Sequence, residues 1–126
     1  MKYGMKKMTP YNLNVAQREI VWLEFPFSDL SDSKTRPGLI VSNNSYNKNH
    51  SDVICCAITS KKRDDYCIGI NNTDIEIGKR FTKKSRVRYD WILKVDKKLI
   101  KGRHGTLKKE KSREIINAIQ KLINIE

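Results

Sequence analysis

Basic side chains interleave with aromatic ones between residues 80 and 91. Arg80, Arg86 and Arg88 fall close together, Lys83 and Lys84 stand between them, and Tyr89 and Trp91 follow directly. That mixture suits a single-stranded nucleic acid, because cations neutralise phosphates while aromatic rings accept stacked bases. The formal net charge of +12 over 126 residues points the same way, toward a polyanionic partner. A compositional origin competes with this reading: the chain is rich in Lys, Asn and Ile, as A+T-rich coding produces. Arginine is less open to that objection than lysine.

Two histidines, His50 and His104, invite a two-histidine ribonuclease mechanism with one ring as base and the other as acid. Both fall in polar, turn-rich segments, where exposed histidines are ordinarily idle. The cysteines are three, Cys55, Cys56 and Cys67, and an odd count with two adjacent inside an apolar run does not make a disulfide framework. Neighbours on a strand face opposite ways, so Cys55 and Cys56 cannot readily share a partner or a metal. They read as small buried hydrophobes. With no C-x₂-C motif and the histidines far apart, no zinc site is expected, and neither a metal nor a cofactor is called for.

The elements that must position these residues are short. At 126 residues and 38% hydrophobic content, the chain holds one compact domain with a modest core. Residues 1–17 lack periodicity and read as an extension, leaving 18–126 as the domain. No apolar stretch reaches membrane length, and Lys2, Lys6 and Lys7 have no apolar run behind them, so a cytoplasmic location is expected. A first strand runs over 20–25 and stops at Pro26. A polar loop spans Ser28 to Arg36, and a second strand begins at Leu39 after Pro37 and Gly38. Asn43 to Asp52 reads as loop, Val53 to Thr59 as a buried strand, Tyr66 to Ile70 as a fourth, and 71–84 as mostly loop. Ser85 to Leu93 alternates, with Val87, Tyr89 and Trp91 on one face and Arg86, Arg88 and Asp90 on the other. Val95 to Ile100 adds a short piece. Gly105 then breaks the chain, and Thr106 is placed to cap a helix whose stripe is Ile115, Ile116, Ile119, Leu122 and Ile123. Short strands finished by one amphipathic helix make a mainly β fold, a small barrel with a helix packed on it.

Three segments carry a resemblance. They are EIVWLEFPFSD (19–29) with KTRPGLIVS (34–42), DVICCAITS (52–60), and KSRVRYDWI (84–92) followed by GTL (105–107) and the helix. In that order and spacing they resemble the MazF/PemK toxins, from about Arg18 to the end. The resemblance implies an SH3-like barrel of about five to seven strands with a C-terminal helix, dimerising so that RNA-binding grooves form at the interface. It also implies a metal-independent, sequence-selective endoribonuclease acting on single-stranded RNA, and a cognate antitoxin with a flexible acidic tail. By position the catalytic arginine and threonine of the family correspond to Arg36 and Thr59.

Metal-free cleavage uses the ribose 2′-OH as nucleophile and leaves a 2′,3′-cyclic phosphate and a 5′-OH. It needs a proton acceptor, a stabiliser of the phosphoryl oxygens and a donor to the leaving oxygen. Arg36, a planar fork of donors, fits the phosphate role. The Thr59 hydroxyl can position the phosphate. Lys34, Ser60, Lys61, Lys84, Ser85 and Arg86 are the expected RNA contacts. Some family members carry a Glu five residues before the arginine, where this chain has Ser31, and others an Asp where it has Phe81. The base is therefore sought in Asp32 or Asp29. Trp22 and Trp91 are read as core or dimer contacts rather than stacking platforms. Two rivals keep the fold: a non-catalytic nucleic-acid-binding regulator, and a gyrase-poisoning toxin, whose Trp near the C-terminus is missing here.

Overall fold

The structure, a computed structural model, describes residues 14–24, 35–62 and 65–126. Seven strands form one sheet: β1 (Glu19–Glu24), β2 (Thr35–Ile40), β3 (Asp52–Thr59), β4 (Cys67–Ile70), β5 (Ile75–Gly78), β6 (Ser85–Asp96) and β7 (Ile100–Leu107). Their order across the sheet is β4-β6-β3-β2-β1-β7-β5, and all neighbours are antiparallel. A short helix, α1 (Asn44–Asn49), links β2 to β3, and a longer one, α2 (Lys109–Leu122), ends the chain. The mainly β architecture with a C-terminal helix is the expected one.

The central strands bury both faces, and strict alternation sorts their residues into two cores. Val21, Leu23, Ile40, Val53 and Cys55 join Val95 and Ile100 on one side. Ile20, Leu39, Cys56, Ile58 and Val87 pack with Leu107 and Ile115 on the side covered by α2. Adjacent Cys55 and Cys56 thus belong to different cores, both unpaired, and burial pushes each thiol up to about 12, which makes them inert. Val15, ahead of the boundary expected at Arg18, is 5% exposed and packs in the first core.

Several elements depart from the sequence expectation. The segment after Val41 contains α1, capped by the Asn43 side chain, which accepts from the Tyr46 amide at 2.8 Å. Beneath it a buried polar cluster holds the helix down. The Ser42 hydroxyl donates to Asn47 Oδ1, Asn47 Nδ2 donates to the Ser42 carbonyl at 2.9 Å, and Lys97 Nζ donates to the Asn47 carbonyl. Strand β5 occupies the middle of the 71–84 segment; its four residues are too few to show a period. Gly105 and Thr106 do not start the helix. They lie in β7, and α2 begins after Lys108 with no side-chain cap. Gly105 is needed because β5 crosses it closely: a Cβ there would stand 2.5 Å from the Ile77 carbonyl oxygen. The face assignment of β6 holds for Val87 and Tyr89, which pack in the same core, and fails at Trp91. Cys56 pairs with Ile92 and Ala57 with Arg88, so residues 89–91 form a bulge that lifts Trp91 out, 40% exposed, with the Arg88 guanidinium 4.9 Å from its ring centre. Trp91 is therefore no core residue.

Candidate active site

Strand β2 begins at Thr35, earlier than expected, so Arg36 and Pro37 lie within a strand rather than at a loop end. Leu23 pairs with Arg36 and Trp22 with Pro37 across β1. On the other side the ladder to β3 runs only from Ile40–Cys55 to Gly38–Ala57. Continued two more steps, that register would set Arg36 opposite Thr59. Pro37 has no N–H to continue it, and the pairing stops. Proline is tolerated here because it sits where the strand has already lost one neighbour.

A cleft of roughly 280 Å³ opens at this unpaired seam. Arg36 and Thr59 both line it, with Thr35 on β2 and Ser60 and Lys61 just past β3. By alternation Arg36 and Thr59 share a face of the sheet. The Thr59 Oγ1 accepts from the Lys61 amide at 3.1 Å, which fixes the hydroxyl's position and leaves its proton available to a ligand. Arg36 is exposed, and its side chain makes no hydrogen bond or ion pair with another described residue. Ser85 also lines the cleft but is buried, and its hydroxyl donates to the Lys83 carbonyl at 3.1 Å, so it offers a ligand only lone pairs in this arrangement.

Two of the expected contacts lie elsewhere. Lys84 is exposed and does not line the cleft; Lys83 does, beside Thr82. Arg86 stands behind the wall, with its Nη1 3.4 Å from the Lys61 carbonyl, so it steadies the turn after β3. Asp29, Asp32 and Lys34 lie outside the described residues. Among the described residues no carboxylate lines the cleft, and no group of three or more His, Cys, Asp or Glu side chains is placed to hold a metal ion.

The remaining wall is apolar, and sequence reading missed it. Trp22, read as a core or dimer contact, is half-buried and lines the cleft with Phe81 and Ile58. Behind them sits His104, which is not an exposed loop residue. It lies in β7 and is 9% exposed. Ile20 pairs with Gly105 and Val21 with Arg103, which makes His104 the extra residue of a β-bulge, turned inward. Its ring stacks on Phe81 (4.2 Å, 16°) and meets Trp22 edge to face (5.6 Å, 71°). Its Nε2 is buried without a partner. Burial holds this imidazole below its ordinary value; a backbone hydrogen bond with Lys79 opposes the shift and the Lys79 charge adds to it. His50 is far from this setting: it ends α1, exposed, stacked on Tyr46 at 4.0 Å. Nothing here brings the two histidines together as an acid–base pair.

The family model that describes a PemK-like, MazF-like toxin of a type II toxin–antitoxin system matches residues 16–123. No curated protein sequence matches the chain significantly. Among solved structures, MazE–MazF (Form-III) from Deinococcus radiodurans superposes with a TM-score of 0.73 at 16% identity, covering 90% of this chain and 100% of that one. An endoribonuclease in complex with its cognate antitoxin from Mycobacterial species gives 0.69 at 18% identity, covering 89% and 97%. The Mycobacterium tuberculosis toxin MazF-mt6 gives 0.68 at 17% identity, covering 86% and 99%. At these identities the likeness is one of fold.

Proposed function

The chain belongs to the PemK-like, MazF-like toxins of type II toxin–antitoxin systems, and from that premise we propose that it is a metal-independent endoribonuclease cleaving single-stranded mRNA at selected sequences. The observation that carries this reading is the meeting of Arg36 and Thr59 at the seam that Pro37 leaves unpaired. Arg36 clamps the phosphoryl oxygens and stabilises the charge that develops on them. Thr59, its oxygen already held by the Lys61 amide, donates its proton to the same phosphate. The ribose 2′-OH gives up its proton to a carboxylate base as its oxygen attacks phosphorus, the bond to the 5′-oxygen breaks, and water protonates the departing oxygen, so the products are a 2′,3′-cyclic phosphate and a 5′-OH. Lys61 and Lys83 extend the positive rim along the strand of RNA. The base that takes the 2′ proton comes from residues 25–34, with Asp32 the first choice and Asp29 the second. The working unit is a cytoplasmic homodimer, silenced by a cognate antitoxin whose acidic tail competes for the basic cleft.

The test is cleavage of a long single-stranded RNA in excess EDTA, with Arg36→Ala alongside and fragment ends mapped. Discrete cuts with 5′-OH ends, lost in the variant, are expected. RNA that is bound but never cut would turn the reading to a non-catalytic regulator on the same fold.

A further inference from the structure

The phosphate-facing half of the cleft leaves its aromatic half without a role. Trp22, Phe81 and Ile58 line the same cleft as Arg36. Both aromatic rings are half-buried, with one part in the protein and the other open to the cleft. The fold spends several constraints on holding them there. Gly78, at φ +107°, lets β5 lie so close to β7 that a Cβ would stand 2.4 Å from the Gly105 Cα. The chain leaving Gly78 is tied down by the Lys79 amide donating to the His104 carbonyl at 3.0 Å and by the Phe81 amide donating to Asn72 Oδ1 at 3.2 Å. His104, inserted by its bulge, then wedges between the Trp22 and Phe81 rings. A histidine with a buried, unpartnered ring nitrogen is an uneconomical way to fill an apolar gap. What it supplies is a flat, rigid spacer with ring faces aligned to Phe81.

We propose that Trp22 and Phe81 form a nucleobase-stacking wall that selects the base next to the phosphate held by Arg36, with His104 as the residue that positions it. This rests on the ribonuclease reading for the phosphate, but not on catalysis: a base can stack without a bond being cut. Backbone contacts at Arg36, Lys61 and Lys83 are blind to sequence, whereas a walled slot distinguishes bases by size and stacking strength. The 2′-OH line of attack requires the flanking nucleotide to be held still, and a stacked base does that.

The experiment places 2-aminopurine at successive positions of an uncleavable all-deoxy oligonucleotide and reads its quenching on binding, with anisotropy as the measure of total affinity. One position is expected to be quenched in the wild type, released in Phe81→Ala and retained in Phe81→Tyr, with affinity falling roughly tenfold in the alanine variant. His104→Ala should release the same position and His104→Phe should restore it; a residue that mattered only for stability would change the unfolding midpoint without moving the quenched position. Quenching at no position, or quenching that survives both Phe81→Ala and Trp22→Leu in folded protein, overturns the wall. Quenching with no cleavage of any RNA by the wild type upholds the wall and sinks the nuclease reading alone. Failure to bind the oligonucleotide or RNA at all removes both.

Discussion

Under α1, Ser42, Asn47 and Lys97 are polar groups turned toward one another. The Ser42 hydroxyl donates to Asn47 and accepts from the Ile54 amide at 3.0 Å, and the Lys97 ammonium, 2% exposed, ends on the Asn47 carbonyl. Beside Pro37, Arg36 and Thr59 are also polar groups set at matching positions on neighbouring strands, yet they stay apart and open to the cleft. Both regions sit at an end of β3. One fulfils its hydrogen-bonding capacity internally and fixes a helix; the other keeps donors unspent. Polar side chains on well-formed strands that no described neighbour satisfies are the ones available to a ligand.

Substitutions should separate the two regions cleanly. The largest effect is expected from Arg36→Ala, with the cleavage rate falling by about 10²–10³-fold, the usual cost of removing one donor to a developing oxyanion. Its urea midpoint should match the wild type, because no described residue takes a hydrogen bond from the Arg36 side chain. A matching loss of stability would mean that the arginine belongs to the fold after all. Asn47→Ala should do the reverse. It leaves the Ser42 hydroxyl and carbonyl short of partners, while the Lys97 bond to the backbone carbonyl of residue 47 survives, at a cost of about 1–3 kcal/mol read from denaturant unfolding. Cleavage per folded molecule should be unchanged.

Much of the molecule was legible because the central strands bury both faces and so stand out as short unbroken apolar runs. The apolar runs over 20–25 and Val53 to Thr59 placed β1 and β3 to within a residue or so at most ends. The motif resemblance then brought Arg36 and Thr59 together, although neither residue is distinctive alone. What was missed has physical reasons. α1 and β5 are six and four residues long, too short for a period to emerge, and α1 is held by tertiary polar contacts that no local pattern records. The bulge at residues 89–91 interrupts the alternation of β6, so the period gave Trp91 the wrong face, and the bulge at His104 breaks up β7, where no alternation was read. Flanked by Gly102 and Gly105, His104 read as a turn-rich loop residue, and Trp22, inside an apolar run, read as a core or dimer contact. Phe81 offered one usable signal, an aromatic where the motif resemblance leads one to look for an acid.

Gly38→Ala sharpens the comparison at the seam itself. An added Cβ would stand 2.8 Å from Leu23 Cδ1 and 3.4 Å from the Cys56 carbonyl oxygen. Leu23 can shift only within a packed core, so a loss of about 1–3 kcal/mol is expected from thermal or urea unfolding. Gly38–Ala57 is also the last paired step before the seam, so the same change should lower cleavage several-fold even at temperatures where the variant is fully folded. Destabilisation with unchanged kinetics would show that the cleft's width is set elsewhere.

The smallest effect concerns pH. The folded state holds His104 below its ordinary value of 6.5, chiefly through burial. The unfolded chain therefore binds a proton at a pH where the folded one does not. Stability tied to this ring is complete above 6.5 and declines as pH falls below it, by at most about 1.4 kcal/mol per pH unit for one group. His104→Phe cannot take up that proton and should flatten the dependence of the urea midpoint between pH 7 and pH 5. Tyr46 titrates far above this window, its proton held by Asp52, and leaves the comparison untouched. Equal slopes in wild type and His104→Phe would mean that the imidazole protonates within the fold, and a wedge that tolerates charge between two aromatic rings is looser than the geometry at 4.2 Å implies.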